Sequence, residues 1–167
     1  MDSSLQNALD EIQRATQGMT DEQLAWHPEG KWSSAQILEH LTLTFSGTVR
    51  GMQRVLASDG LGPQKRTLKQ RLAAVVVADL GYFPSGRKAP AMTVPSAGDP
   101  HAAVENILRN LTEMDAILYE VEKKKGPNAR IPHPVIGPLK VAQWRRFHLI
   151  HTKHHMKQIV KLRELAS

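Results

Sequence analysis

Residues 147–159, FHLIHTKHHMKQI, gather four of the chain's eight histidines, His148, His151, His154 and His155, into one apolar, helix-compatible segment. The segment lies inside a last helix expected from about Val141 to Leu165. Two readings are open at this point. The histidines belong to a metal site, or they decorate a surface helix.

Working outward, the remaining elements also read as helices. Residues 3–17 carry an apolar stripe of Leu5, Leu9 and Ile12, with Asp2 or Ser3 as cap and Gly18 as stop. MTDEQLAWHPEGKW, residues 19–32, is a connector with one helical turn ended by Pro28 and Gly30. A long second helix follows from Ser33 or Ser34, with Ile37, Leu38, Leu41, Phe45, Val49, Met52 and Leu56 on its apolar face. A shorter helix is expected across residues 67–81; its AAVVVA run also suits a strand, but the flanking Leu68, Leu72 and Leu80 favour helix. Residues 81–98 hold three prolines and three glycines and read as a long loop, a kind of segment that is usually functional or disordered. Asp99 is a natural N-cap, with Pro100 at the first helical position, for a helix burying Val104, Ile107, Leu108, Leu111, Ile117 and Leu118. GPNARIPHPVIGPLK, residues 126–140, separates it from the last helix. Four long helices, a shorter helix between the second and third, and no strand alternation of any length indicate an all-α four-helix bundle. It is read as a single domain over residues 1–167.

Composition narrows the chemistry. A chain of 167 residues that is 41% hydrophobic can bury a core without staples. With no cysteine, a disulfide framework, a thiolate zinc site and a cysteine nucleophile are excluded together, so any transition metal must be held by imidazole and oxygen. The formal charge of +6 is spread over several segments, aromatics are only 5%, and no nucleic-acid motif is present; nucleic-acid binding is not expected. The N-terminal stretch lacks the pattern of a signal peptide, and no apolar run approaches the roughly 20 residues that span a bilayer. The expected location is the cytoplasm, away from membranes.

Helical geometry sorts the histidines. Each residue turns about 100°, so positions four apart share a face to within ~40°. His151 and His155 meet this condition. Their Cβ atoms would lie about 6 Å apart, within reach of one ion at roughly 2.1 Å. His148 shares that face but sits about 10.5 Å along the axis from His155, which makes it a poor co-ligand; His154 points elsewhere. The best third ligand is His40, at or beside the buried stripe of SSAQILEHLTLTF, residues 33–45. A buried histidine more often bonds a carbonyl than a metal. Three neutral imidazoles brought together, however, have few donors to share, and a cation resolves that difficulty. His27 and His133 each precede a proline and His101 sits in a first helical turn, so these three are read as structural or solvated.

At these residues the chain resembles the DinB-like (YfiT-like) superfamily of metal-binding four-helix bundles. The resemblance rests on KWSSAQILEHL (31–41), HPVIGPLKVAQW (133–144) and HLIHTKHHMKQI (148–159), and with the helix order it covers most of the chain. It implies a divalent ion, typically nickel or zinc, held by His40, His151 and His155. It implies a small-molecule substrate, with a low-molecular-weight thiol activated for transfer or isomerisation in some relatives, and pairing into homodimers. Two positions depart from the pattern: Thr152 where an acidic residue often stands, and Lys140 where a Ser or Thr often caps the last helix. The expected function is therefore a metal-dependent transferase or hydrolase; the rival is a non-catalytic binding or stress-response module with a structural metal or none. No general base is identifiable, since Glu39 points about 100° away from His40. Gln158 either orients a ligand or packs, and packing is the favoured reading.

Overall fold

A computed structural model describes residues 1–60, 65, 67–74, 89–96 and 98–166. Within them lie six α-helices: α1 Ser3–Thr16, α2 Asp21–Ala25, α3 Ser34–Ala57, α4 Leu68–Ala74, α5 Pro100–Lys125 and α6 Val141–Leu165. The chain is all-α in class, with four long helices, α1, α3, α5 and α6. The later part of the expected short helix (75–80) and the start of the Pro- and Gly-rich connection (81–88) lie outside the described residues.

Local chemistry sets the helix starts. Asp2, rather than Ser3, caps α1, its carboxylate accepting from the Ser4 N–H at 2.9 Å. Ser33, rather than Ser34, caps α3: its hydroxyl accepts from Gln36 N–H while the Gln36 side chain accepts from Ser33 N–H, satisfying two amides that the helix leaves unpaired. Thr20 and Gln23 repeat the device on α2, which ends at Ala25, before Pro28 is reached. Asp99 caps α5 as expected, and Gly126 at φ +88° ends it. At α6 only half the exchange survives. Gln143 accepts from Lys140 N–H at 3.2 Å, but an ammonium has no lone pair to return.

One feature of 126–140 goes beyond a helix break. Two-residue strands, β1 Arg130–Ile131 and β2 Leu139–Lys140, pair antiparallel with Arg130 opposite Lys140. His133 and Gly137 exchange backbone hydrogen bonds across the turn, and the His133 ring accepts at Nδ1 from Val135 and Ile136 N–H. Pairs this short leave no alternation to read. Their consequence is a fixed start for α6, secured by Trp144 donating to the Ile131 carbonyl.

The long helices pack chiefly as α3 on α5 and α1 on α6; α3 also meets α6, and α1 meets α5. The core is their shared apolar face: Leu5 and Ile12 of α1, Leu38, Leu41 and Phe45 of α3, Ile107, Leu111 and Leu118 of α5, Ile159 of α6. Met114 and Val121, absent from the apolar face read for α5, are fully buried with them. No described helix is long and apolar enough to cross a membrane. Phe45 is wholly buried, so Phe45→Ala should cost about 3–5 kcal/mol in urea unfolding. A loss below about 1 kcal/mol would mean that α3 does not pack through this face.

Candidate metal centre

α3 and α6 bring His40 together with His151 and His155, which lie more than a hundred residues further along the chain. His40, His151 and His155 are all buried, and each offers a ring nitrogen within 4.8 Å of the others. The His151 Nε2 lies 3.4 Å from His40 Nε2 and 3.0 Å from His155 Nε2. Ligand atoms at ~2.1 Å from one ion would stand roughly 3.0 Å apart on adjacent octahedral positions and roughly 3.4 Å apart on a tetrahedron. The His151–His155 spacing is that of the first and the His151–His40 spacing that of the second, and all three nitrogens lie within 4.8 Å of one another.

The protons decide what such a cluster can do. His40 Nδ1 lies 2.6 Å from the Thr93 carbonyl, which can only accept, so Nδ1 carries the hydrogen. His155 Nδ1 donates to the Gln158 amide oxygen at 2.8 Å. In the neutral rings both Nε2 atoms are then bare lone pairs turned towards His151. A single proton on His151 Nε2 can serve one of them and not the other. Burial pushes all three rings towards the neutral form, and the neighbouring imidazoles add to it: His151 is held well below the ordinary histidine value and His155 at about 3. For His40, burial also lowers the value, with the Thr93 bond opposing. Neutral imidazoles with convergent lone pairs are the ligating form. Among the described residues the group has three members, the number found where a fourth coordination position is left for water or substrate.

Residues 2–162 match the family described as a protein of unknown function, DUF1569. The chain belongs to the DUF1569 family. No curated protein and no solved structure matches it.

In this DUF1569 member, one supporting group reverses the favoured sequence reading and a second escapes it. Gln158 does not pack: it is exposed, accepts from His155 and donates to His154 Nε2 at 3.3 Å. The sequence offers this orienting role, one turn past His155, as the alternative to the favoured packing. The Thr93 carbonyl leaves no signal there, because every residue carries one. Glu39 turns away from the histidines, as its position predicted, and accepts from Ser96 and Gly98 instead.

The other histidines of the DUF1569 chain separate cleanly. His154 lies off the cluster and meets it through Gln158 and the edge of the His155 ring. His148 is fully buried among Phe45, Trp144 and Phe147, with Nε2 3.1 Å from the Thr48 hydroxyl, and burial pushes it down to about 3. His133, inside its turn, is pushed to about 4 by the same cause and is structural. His101 is exposed, 2.8 Å from Asp21, and His27 is exposed.

Proposed function

We propose that His40, His151 and His155 hold one divalent metal ion, nickel or zinc, inside a four-helix bundle of the DinB-like kind. We further propose that the chain is a metal-dependent enzyme acting on a small molecule, as a thiol-dependent transferase or a hydrolase. The observation that supports this is the proton arrangement: two Nδ1 donors are committed outward, so the inward Nε2 lone pairs outnumber the hydrogens that could satisfy them. A cation removes that deficit.

When bound, the ion supplies an uncompensated +2 charge that favours the deprotonated form of a water or thiol beside it. The chain's own part is to hold the ligands. Thr93 and Gln158 fix the His40 and His155 tautomers, and the Phe147 ring stacks on His151 at 5.6 Å. A homodimer belongs to the same proposal, on the resemblance alone. The rival reading, a non-catalytic module with a structural ion, is favoured by the depth of the ligands, none more than 7% exposed.

Cobalt substitution separates the two. The cobalt-loaded protein is expected to gain a sulfur-to-cobalt charge-transfer band when 2-mercaptoethanol is added, because an open position admits the thiol. A visible spectrum indifferent to thiol, with cobalt still bound, would reject the enzymatic reading in favour of the structural one.

A further inference from the structure

Three neighbouring residues of α3 hold one segment of the chain ahead of α5. Gln36 donates to the Ser96 carbonyl at 3.2 Å, and His40 bonds the Thr93 carbonyl. Between them, Glu39 accepts three hydrogen bonds: Ser96 N–H at 3.1 Å and Gly98 N–H at 3.0 Å on Oε2, and the Ser96 hydroxyl at 2.8 Å on Oε1. Apolar burial contributes little here. Met92 is 75% and Val94 49% exposed, and of residues 91–96 only Pro95 is buried. A segment with so few buried contacts is held where its polar bonds hold it, and bonds to a carboxylate are the strong ones. The approach to α3 is also close. A Cβ on Gly98, at φ +68°, would stand 2.7 Å from Gln36 N and 2.9 Å from the Ala35 carbonyl carbon, both backbone atoms with nowhere to move.

Thr93 closes its own turn through its N–H, which donates to Pro90 O at 2.8 Å, while its carbonyl faces His40. That carbonyl is the acceptor that puts the His40 proton on Nδ1 and turns Nε2 towards His151. We propose that Glu39 is a positioning residue for His40: by holding Ser96 and Gly98 against α3, it fixes the Thr93 carbonyl that sets the tautomer and direction of the ring. This role rests on the metal reading above for its purpose. It does not rest on it for its observation, because the hydrogen bonds join protein groups alone. Glu39 touches neither ligand nitrogens nor substrate, and its effect passes through the backbone.

The test compares Glu39→Ala, Glu39→Gln and Gly98→Ala with the unaltered chain, reading the His40 ring nitrogens by ¹⁵N NMR before zinc and the zinc affinity by chelator competition. Glutamine is the conservative variant. Its amide oxygen can accept from both N–H groups, and its amide nitrogen can donate to the Ser96 hydroxyl. The unaltered chain and Glu39→Gln should show one His40 tautomer, protonated at Nδ1. Glu39→Ala should show mixed tautomers and bind zinc about tenfold more weakly, the lower end of what losing a supporting partner costs. Gly98→Ala, which prises the segment off α3 without touching the carboxylate, should reproduce both changes; it also serves if Glu39→Ala fails to give a native circular dichroism spectrum. A single Nδ1–H tautomer retained in folded Glu39→Ala or Gly98→Ala would overturn the proposal. Absence of zinc binding by the unaltered chain, with the tautomer change intact in the variants, would reject the metal reading and uphold the placement of His40 by Glu39.

Discussion

Alanine at His40, His151 or His155 is expected to abolish stoichiometric metal binding, while alanine at His154 leaves it nearly intact. A full set of zinc ligands is worth about 10–16 kcal/mol, so one of three carries several kcal/mol, or on the order of a thousandfold in affinity. Gln158→Ala removes only the group that orients His155 and should cost roughly 10- to 100-fold. The result is a graded series: near-total loss at the three ligands, intermediate loss at Gln158, and little at His154, whose ring meets the cluster through Gln158 and the edge of His155. Calorimetric titration with zinc on untagged protein reads the whole series. Equal losses at His154 and His151 would refute the ligand assignment.

Acid should remove the metal and the fold together. An exposed three-histidine site would begin to lose its ion near the ordinary histidine pKa of about 6.5. Burial changes that order. With His155 and His148 at about 3 and His133 at about 4, the folded chain stays neutral at these rings where the unfolded chain has already taken up protons. The unfolded state therefore binds more protons between about pH 6.5 and pH 4, and stability rises with pH across that window. Read downwards, each such histidine costs about 1.4 kcal/mol per pH unit, beginning below 6.5 and ceasing to grow at its folded value. Zinc binds the neutral rings and opposes the loss, so it should move the acid unfolding midpoint to lower pH. Helical circular dichroism and zinc release, followed together from pH 7.5 to pH 3, should coincide, and the zinc-free protein should unfold at higher pH. His148→Leu, which removes one buried imidazole outside the ligand set, should flatten the pH dependence of stability by about one proton. Zinc release near pH 6 with the helices intact would show that the ligand rings are not held neutral by burial.

Much of this molecule is legible in the order of its residues, because helices are local. The capping chemistry of Ser33 with Gln36, the Asp99-Pro100 start and the stripe from Ile37 to Met52 depend on neighbours a few positions apart, so periodicity alone finds α1, α3, α5 and α6. The pairing of His151 with His155 follows from the same helical turn. His40 is a different case. Its place on the apolar stripe made it the candidate third ligand, but only the packing of α3 against α6 brings its Nε2 to 3.4 Å from His151. Tertiary structure alone decided what surrounds His40. The Thr93 carbonyl reaches His40 across 53 positions and assigns its proton, and Glu39 reaches Ser96 across 57, whereas the His155 proton is assigned within α6 by Gln158. The two-residue strands that fix the start of α6, and the burial that holds His133 and His148 neutral, come from the same level. The sequence determined the helices and which faces they hide, since both are set by the side chains' spacing. The fold decided which nitrogens meet and which carry hydrogen, since distance and desolvation exist only once the chain has packed.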